Sequence, residues 1–320
     1  MPELVFALGI DIGGGSTKIG LVSSAGEVLD RVRIVVGGED DADRIIGRYI
    51  AAIAGMIEAN PAARPMGIGI GFPGRIHADS MSGDLGNIPA LDDFPLAARI
   101  GAAFALPARL ENDATAAGLA EARFGKDKDA GRLLHITVGT GIGVAFAIDG
   151  KRFVTSGGGL GDAGHLIIDH ENPQRCRLGC LGCLESVASG DALDRRARGF
   201  IRDNPGSAFA RRTAGHGTVS VADVVRCARE GDEAAIELLA DAGKWIGRAA
   251  ATWAHLFAPE VILVGGGLSA AGDLLLAPIE REARRRGLAT YMGNVRFSLA
   301  SLGNDAGMIG AAAQMFPLTA

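Results

Sequence analysis

The sequence predicts a two-lobed α/β protein, and three observations carry that reading. The chain has 320 residues, enough for a large core and a second lobe. Glycine makes up 48 of them, about twice the roughly 7% average. The glycines cluster at 13–15, 67–74, 139–143, 157–164 and 265–267, next to apolar runs, where they suit turns that let backbone approach a ligand. Finally, a β-β-β opening occurs twice, once at the N-terminus and once from residue 133.

Taken in order, Leu4–Ile10, Ser16–Val22 and Glu27–Val35 read as strands joined by turns at 11–15 and 23–26. Residues 42–57 form a helix with Ile45, Ile46, Tyr49, Ile50, Ile53, Met56 and Ile57 on one face. Met66–Ile70 is a short buried strand ending in a turn at 71–74. Phe94–Phe104 is helical, Ala108–Leu110 a strand and Asp113–Phe124 a helix. The second half repeats the opening with Leu133–Val138, Gly143–Ile148 and Arg152–Val154. An irregular Gly- and Cys-rich loop fills 157–185. Helices follow at about 190–203, 220–229 and 232–257, then a strand at Val261–Val264, a helix near 272–286, a strand at Val295–Leu299 and a helix at Asp305–Met315. The expected division is a small lobe of 1–115 plus 303–320 and a larger one of 116–302.

A net charge of −5 with no basic block argues against a nucleic-acid surface. No apolar stretch is long enough to span a bilayer, and Glu3 interrupts any signal-like start. Four cysteines without a secretory signal point to a reducing cytoplasm.

Several segments carry candidate chemistry. In Gly9-Ile-Asp11-Ile-Gly13-Gly14-Gly15-Ser16-Thr17-Lys18 a strand delivers a carboxylate to a glycine turn. Bare amides there can approach phosphate oxygens, and Asp11 can hold Mg²⁺ through water; the alternative is a plain hairpin. The spacing is not that of a Walker A loop. Gly139-Thr140-Gly141 after a second strand repeats the pattern, and Gly265-Gly266-Gly267 after Val264 suits the flat approach of a nucleoside, or else tight helix packing. Gly69-Ile-Gly71-Phe-Pro-Gly74 matches a dinucleotide fingerprint, but no amphipathic helix follows it, so it reads instead as lining for a sugar pocket. At Glu111-Asn112-Asp113, polar residues enter a helix. One of them can be a cap, or Asp113 can be a general base that takes a hydroxyl proton.

His165, Cys176, Cys180 and Cys183 form a closed tetrahedral zinc set, with no position open for water. Such a site is structural and would brace the loop carrying Asp162, His165 and Glu185. Redox use of Cys180 and Cys183 is the alternative.

These segments, in this order, resemble the ROK family of sugar kinases and sugar-responsive repressors over about residues 7–315. The resemblance implies an actin/hexokinase-like fold with a cleft between lobes, and ATP, Mg²⁺ and structural Zn²⁺ as cofactors. It implies Asp113 as catalytic base, with Gly71, Asn87, Asn112, Asp162, His165 and Glu185 around the sugar. It also implies Asp11, Gly13–Gly15, Ser16, Lys18, Gly139–Gly141 and Gly265–Gly267 around the nucleotide, and a homodimer or homotetramer.

Two departures stand out. The family usually has Glu where this chain has Asp162, a side chain shorter by about 1.5 Å. The family's Cys-x-Cys-Gly-x-x-Gly-Cys loop has Leu178 in place of the second Cys, with Cys180 two residues later. The leading expectation is ATP-dependent phosphorylation of glucose at O6. N-acetylmannosamine, N-acetylglucosamine, fructose, allose or a cyclitol are alternative substrates, and polyphosphate is an alternative donor. A sugar-sensing regulator is expected to need a helix-turn-helix domain, for which the eight residues before Gly9 leave no room. A third reading is a catalytically dead sugar-binding protein.

Overall fold

Strand β1 (Phe6–Ile12) opens a meander with β2 (Ser16–Ser23) and β3 (Val28–Val35). Alternate apolar side chains place Leu8, Ile10, Ile12, Ile19 and Leu21 in the core. The structure is a computed structural model describing residues 4–36, 41–77, 82–84, 88–153, 161–214 and 217–317. Helix α1 (Ala42–Ala59) is capped by the Asp41 carboxylate on Arg44 N–H and buries Ile45, Ile46, Tyr49, Ile53 and Met56. Strand β4 (Pro65–Phe72) returns parallel to β1, followed by the small hairpin β5 (Arg75–His77) and β6 (Ser82–Asp84). Helix α2 (Leu96–Phe104) starts two residues later than its apolar pattern suggests. Pro95 explains this, since the residue before a proline is pushed out of the helical region. Strand β7 (Ala108–Asn112) is longer than expected because Glu111 and Asn112 still pair with Gly71 and Phe72. It leads directly into α3 (Asp113–Phe124).

The second half runs β8 (Arg132–Val138), β9 (Ile142–Ile148), β10 (Lys151–Arg152), α4 (Leu184–Ala188), α5 (Gly190–Asp203), α6 (Ala208–Thr213), α7 (Val221–Arg229), α8 (Glu233–Phe257), β11 (Val261–Gly265), α9 (Asp273–Arg286), α10 (Ala289–Met292), β12 (Arg296–Leu299) and α11 (Ala306–Ala313). The strand expected at 152–154 is the pair Lys151–Arg152, and Val154 lies outside the described residues. Helices α4, α6 and α10 have no counterpart in the sequence reading.

The first sheet has the order β3-β2-β1-β4-β7 and the second β10-β9-β8-β11-β12. Position for position these are the same topology: an antiparallel meander, then two strands added in parallel. The repeated opening in the sequence is thus a repeat of architecture.

Contacts gather the chain into two units, Met1–Gly131 with Val144–Gly161 and Ser301–Ala320, and Arg132–Gly143 with Asp162–Ala300. Many glycines are explained inside each unit. In the first, an alanine methyl at Gly9 or Gly69 would overlap the carbonyl of Met308 or Ala311, and one at Gly310 would overlap that of Ala116. Helix α11 therefore lies backbone-to-backbone on β1, β4 and α3. In the second, a methyl at Gly243 would fall 2.8 Å from Pro278 and one at Gly247 2.5 Å from the Ile279 carbonyl, so α8 and α9 cross at glycine. Buried Glu282 takes charged hydrogen bonds from Arg285 and Arg286, which hold its carboxyl well below the usual range, and pairs with Arg248 across α8 and α9.

Candidate active site

In the first unit, Asp11 is the penultimate residue of β1 and the chain turns through Gly13, where Gly13 N–H donates to the Ser16 carbonyl at 3.1 Å. Gly14 and Gly15 are exposed. The Asp11 carboxylate lies 3.5 Å from Lys18 Nζ, and Lys18 also donates to the Asn304 carbonyl. Burial pushes the Asp11 carboxyl above its ordinary pKa; Lys18 opposes this and Asp305 adds to it. A methyl at Gly307 would sit 2.7 Å from that carboxylate, so the start of α11 packs on it. A half-buried carboxylate with one distant ammonium partner fits a cation ligand, as Mg²⁺ would require.

At the end of β7 the structure shows which residue caps the helix. Asn112 is the cap of α3: its Oδ1 accepts from Thr115 N–H at 3.0 Å and its Nδ2 donates to the Gly74 carbonyl at 3.1 Å. Asp113 is instead the first residue of the helix. It is half-buried, with Oδ1 accepting from Ala114 N–H at 2.7 Å. The helix dipole favours a carboxylate there. Gly71 lies alongside, and a methyl on it would be 3.7 Å from Asp113 Cα, an ordinary contact. The segment is anchored from below by Glu111, which is 2% exposed, ion-pairs with Arg152 and accepts from Asn112 N–H at 2.9 Å. A methyl at Gly161 would run into the Asn112 amide, so Gly161 belongs to this site, a role the sequence reading gave only to its neighbours. Asn87 lies outside the described residues.

In the second unit, the Gly139–Gly141 turn follows β8 and closes on itself, Gly139 N–H donating to the Gly141 carbonyl at 2.9 Å. Two amides at the start of α5 hold it: Gly190 N–H donates to the Gly139 carbonyl at 2.8 Å and Asp191 N–H to the Thr140 carbonyl at 3.3 Å. The Glu185 carboxylate on α4 accepts from Ile142 N–H at 3.0 Å. Glu185 also lines a cavity of about 200 Å³, with Arg175, Arg177, Ser189, Asp191 and Arg195 among its other walls. Gly190 and Ile142 were missed from sequence. The Ser189 cap before α5, whose hydroxyl accepts from Ala192 N–H, was the available signal.

Asp162 is exposed on a short 3-10 turn, Gly161–His165. Gly164 on the same turn sits against the Ile142 carbonyl, where a methyl would not fit. His165 Nδ1 lies 3.3 Å from Cys180 Sγ and 3.7 Å from Cys176 Sγ, and the two sulfurs are 3.2 Å apart. With Cys183 included, all four ligand atoms lie within 4.8 Å of one another. A tetrahedral zinc with Zn–S of about 2.3 Å and Zn–N of about 2.0–2.1 Å needs separations of about 3.5–3.8 Å, so the set fits the metal with small adjustment. The remaining cysteine, Cys227, is buried on α7.

The third glycine turn follows β11. Gly266 has φ of +79°, and a methyl on it would be 2.5 Å from the Val138 carbonyl; one on Gly265 would be 2.5 Å from His135 Nε2. These two glycines are required by the fold. Gly267 is not, since a methyl there meets nothing within 4 Å. The same openness holds at Gly15 and Gly139. Open glycines also occur on the outside of α1, at Gly47 and Gly55. What distinguishes the three is their place, each in a turn just beyond the end of a sheet strand.

Together these features define a mixed α/β protein of the actin/hexokinase-like fold, with a carboxylate at a helix start, glycine turns beyond strand ends and a Cys₃His cluster. The chain belongs to the ROK family, whose model matches residues 7–316. The glucokinase of Halalkalibacterium halodurans is 32% identical over 307 residues, covering 95% of this chain and 92% of its own length. A ROK family glucokinase from Streptomyces griseus, solved in complex with glucose and AMPPNP, superposes with a TM-score of 0.83 at 30% identity, over 97% of this chain and 98% of that one. A ROK family transcriptional regulator, a homologue of E. coli Mlc, superposes at 0.85 with 29% identity, over 97% of this chain and 77% of that one. Among the described residues no helix is long and apolar enough to cross a membrane.

Proposed function

We propose that this protein is an ATP-dependent hexose kinase acting on glucose at O6, with Asp113 as general base. The observation that carries the reading is the division of labour at the start of α3: Asn112 takes the cap, and Asp113 sets a half-buried carboxylate at the first position of the helix. Similarity to glucokinases, one of them holding glucose and AMPPNP, supports it.

In the reaction, Asp113 accepts the proton of the sugar hydroxyl as that oxygen bonds to the γ-phosphorus. The bond from phosphorus to the bridging oxygen breaks, and ADP leaves with the electron pair. Gly13–Gly15, Ser16 and Gly139–Gly141 present amides and hydroxyls to the phosphates, and Gly267 with Gly265 and Gly266 offers a flat backbone to the nucleoside. Asn87, Asn112, Asp162, His165 and Glu185 hold the sugar hydroxyls. Mg²⁺ on Asp11 would neutralise phosphate charge, and Zn²⁺ on His165, Cys176, Cys180 and Cys183 would brace the loop before Glu185. The lobes of 1–115 plus 303–320 and of 116–302, a cytoplasmic setting and a homodimer or homotetramer belong to the same proposal.

The test is ADP release with ATP and Mg²⁺ over a panel of hexoses, N-acetylated amino sugars and cyclitols. Turnover with glucose above the others is expected. Saturable sugar binding without turnover on any member would instead favour the sugar-sensing role of the related regulators.

A further inference from the structure

Glu185 reaches two places. Its Oε2 accepts the Ile142 amide at 3.0 Å, directly after the Gly139–Gly141 turn, and the same side chain lines the neighbouring cavity. It is packed so closely on the turn that a methyl at Gly141 would overlap its carboxylate. The other holds on this turn are backbone amides of α5, fixed by the helix itself. Glu185 is therefore a side-chain hold on the turn that a ligand in the cavity can touch.

We infer that Glu185 is a positioning residue that couples the two ligands: a sugar engaging its carboxylate fixes the turn that grips the nucleotide phosphates. This rests on the kinase reading and goes beyond it by assigning a thermodynamic link to one carboxylate. A ligand that orders Glu185 removes part of the cost of ordering the turn for the second ligand. Linkage makes the effect reciprocal, so nucleotide must tighten sugar binding by the same factor.

Two substitutions approach the link from opposite ends. Gly141→Ala alters the turn, yet its methyl collides with the far end of a flexible side chain and so displaces Glu185 while leaving the fold intact. Glu185→Ala removes the hold itself, and Glu185→Gln keeps an oxygen that can accept from Ile142 N–H.

The experiment is calorimetric titration of the zinc-loaded protein with AMPPNP and Mg²⁺, with and without saturating glucose, and the reverse titration. In the wild type, glucose is expected to tighten AMPPNP about 5–50-fold, within the usual range of coupling energies. Glu185→Ala and Gly141→Ala should each reduce that factor to near one, the double variant should add nothing further, and Glu185→Gln should restore much of it. A merely structural role would weaken each ligand alone and leave the factor unchanged. The inference is overturned if glucose and AMPPNP bind independently in the wild type, or if Gly141→Ala keeps the full factor. Absence of any glucose or AMPPNP binding in the wild type would instead overturn the kinase reading.

Discussion

The two glycine turns beyond β1 and β8 share one sequence grammar and are held in different ways. The first is shaped mainly by its own hairpin: β1 pairs with β2 from Phe6–Ser23 to Ile12–Thr17, Gly13 closes on Ser16, and Asp11 and Lys18 face each other at the root, where Asn304 and Gly307 also pack. The second hangs from distant chain, tied by Gly190, Asp191 and Glu185, some fifty residues downstream. A turn fixed by local pairing is robust to changes elsewhere. A turn fixed by a helix and a side chain can be tuned by whatever touches them.

Experiments can break this contrast. The largest effect is expected from Asp113→Asn, which separates chemistry from grip. Turnover should fall by about 10²–10⁴ while AMPPNP and glucose still bind by calorimetry, so both turns remain intact. Equal loss of binding and rate would remove Asp113 from the chemistry.

Zinc removal should act on the second turn alone, because Cys183 immediately precedes α4 and Glu185. Metal analysis is expected to find one zinc per chain. A chelator should lower the melting temperature by several degrees, at about 2–4 °C per kcal/mol for a unit of this size. It should also abolish the coupling between glucose and AMPPNP. A protein purified without zinc and equally stable would refute the metal site.

Next in size is an effect of pH on β8, the strand that leads into the second turn. Burial drives His135 from 6.5 down to about 4, so it is neutral in the folded state. The unfolded chain then binds the extra proton first. Stability is full above pH 6.5 and is lost as pH falls towards 4, by on the order of 3 kcal/mol in total. Urea unfolding at pH 7 and pH 5 should reveal this, and His135→Gln should flatten it.

The smallest effects on stability are expected at Gly15→Ala and Gly139→Ala. Their methyls meet no atom within 4 Å, so melting should shift by less than about 0.5 kcal/mol. AMPPNP affinity should nonetheless drop measurably in both. Gly190→Ala should behave differently: its methyl would be 2.6 Å from the Gly139 carbonyl, and overpacking of that kind costs about 1–3 kcal/mol.

Much of this was legible in the sequence wherever a rule is local. Strand alternation, the apolar face of α1 and the cluster of His165, Cys176, Cys180 and Cys183 with its spacing all stand in short stretches of chain. So does the pair Asn112 and Asp113, though which of them caps the helix needed the hydrogen bond to Thr115. What was hidden depends on distant partners. The sequence reading took the glycine clusters as signs of ligands, but Gly69, Gly265 and Gly266 answer to backbone and side chains of other elements. The hold of Glu185 on Ile142 joins residues forty-three apart and leaves no local mark.

One consequence follows from the seam of Gly9, Gly69 and Gly310 around α11. The helix that completes the first unit lies nearly three hundred residues downstream of the strand it rests on. On the ribosome, β1 and β4 emerge early but must wait for residues 306–313 before their exposed glycine faces are covered. The second unit, contained within 132–300, can close while that wait continues. Maturation of the nascent chain should therefore finish with the half that was made first.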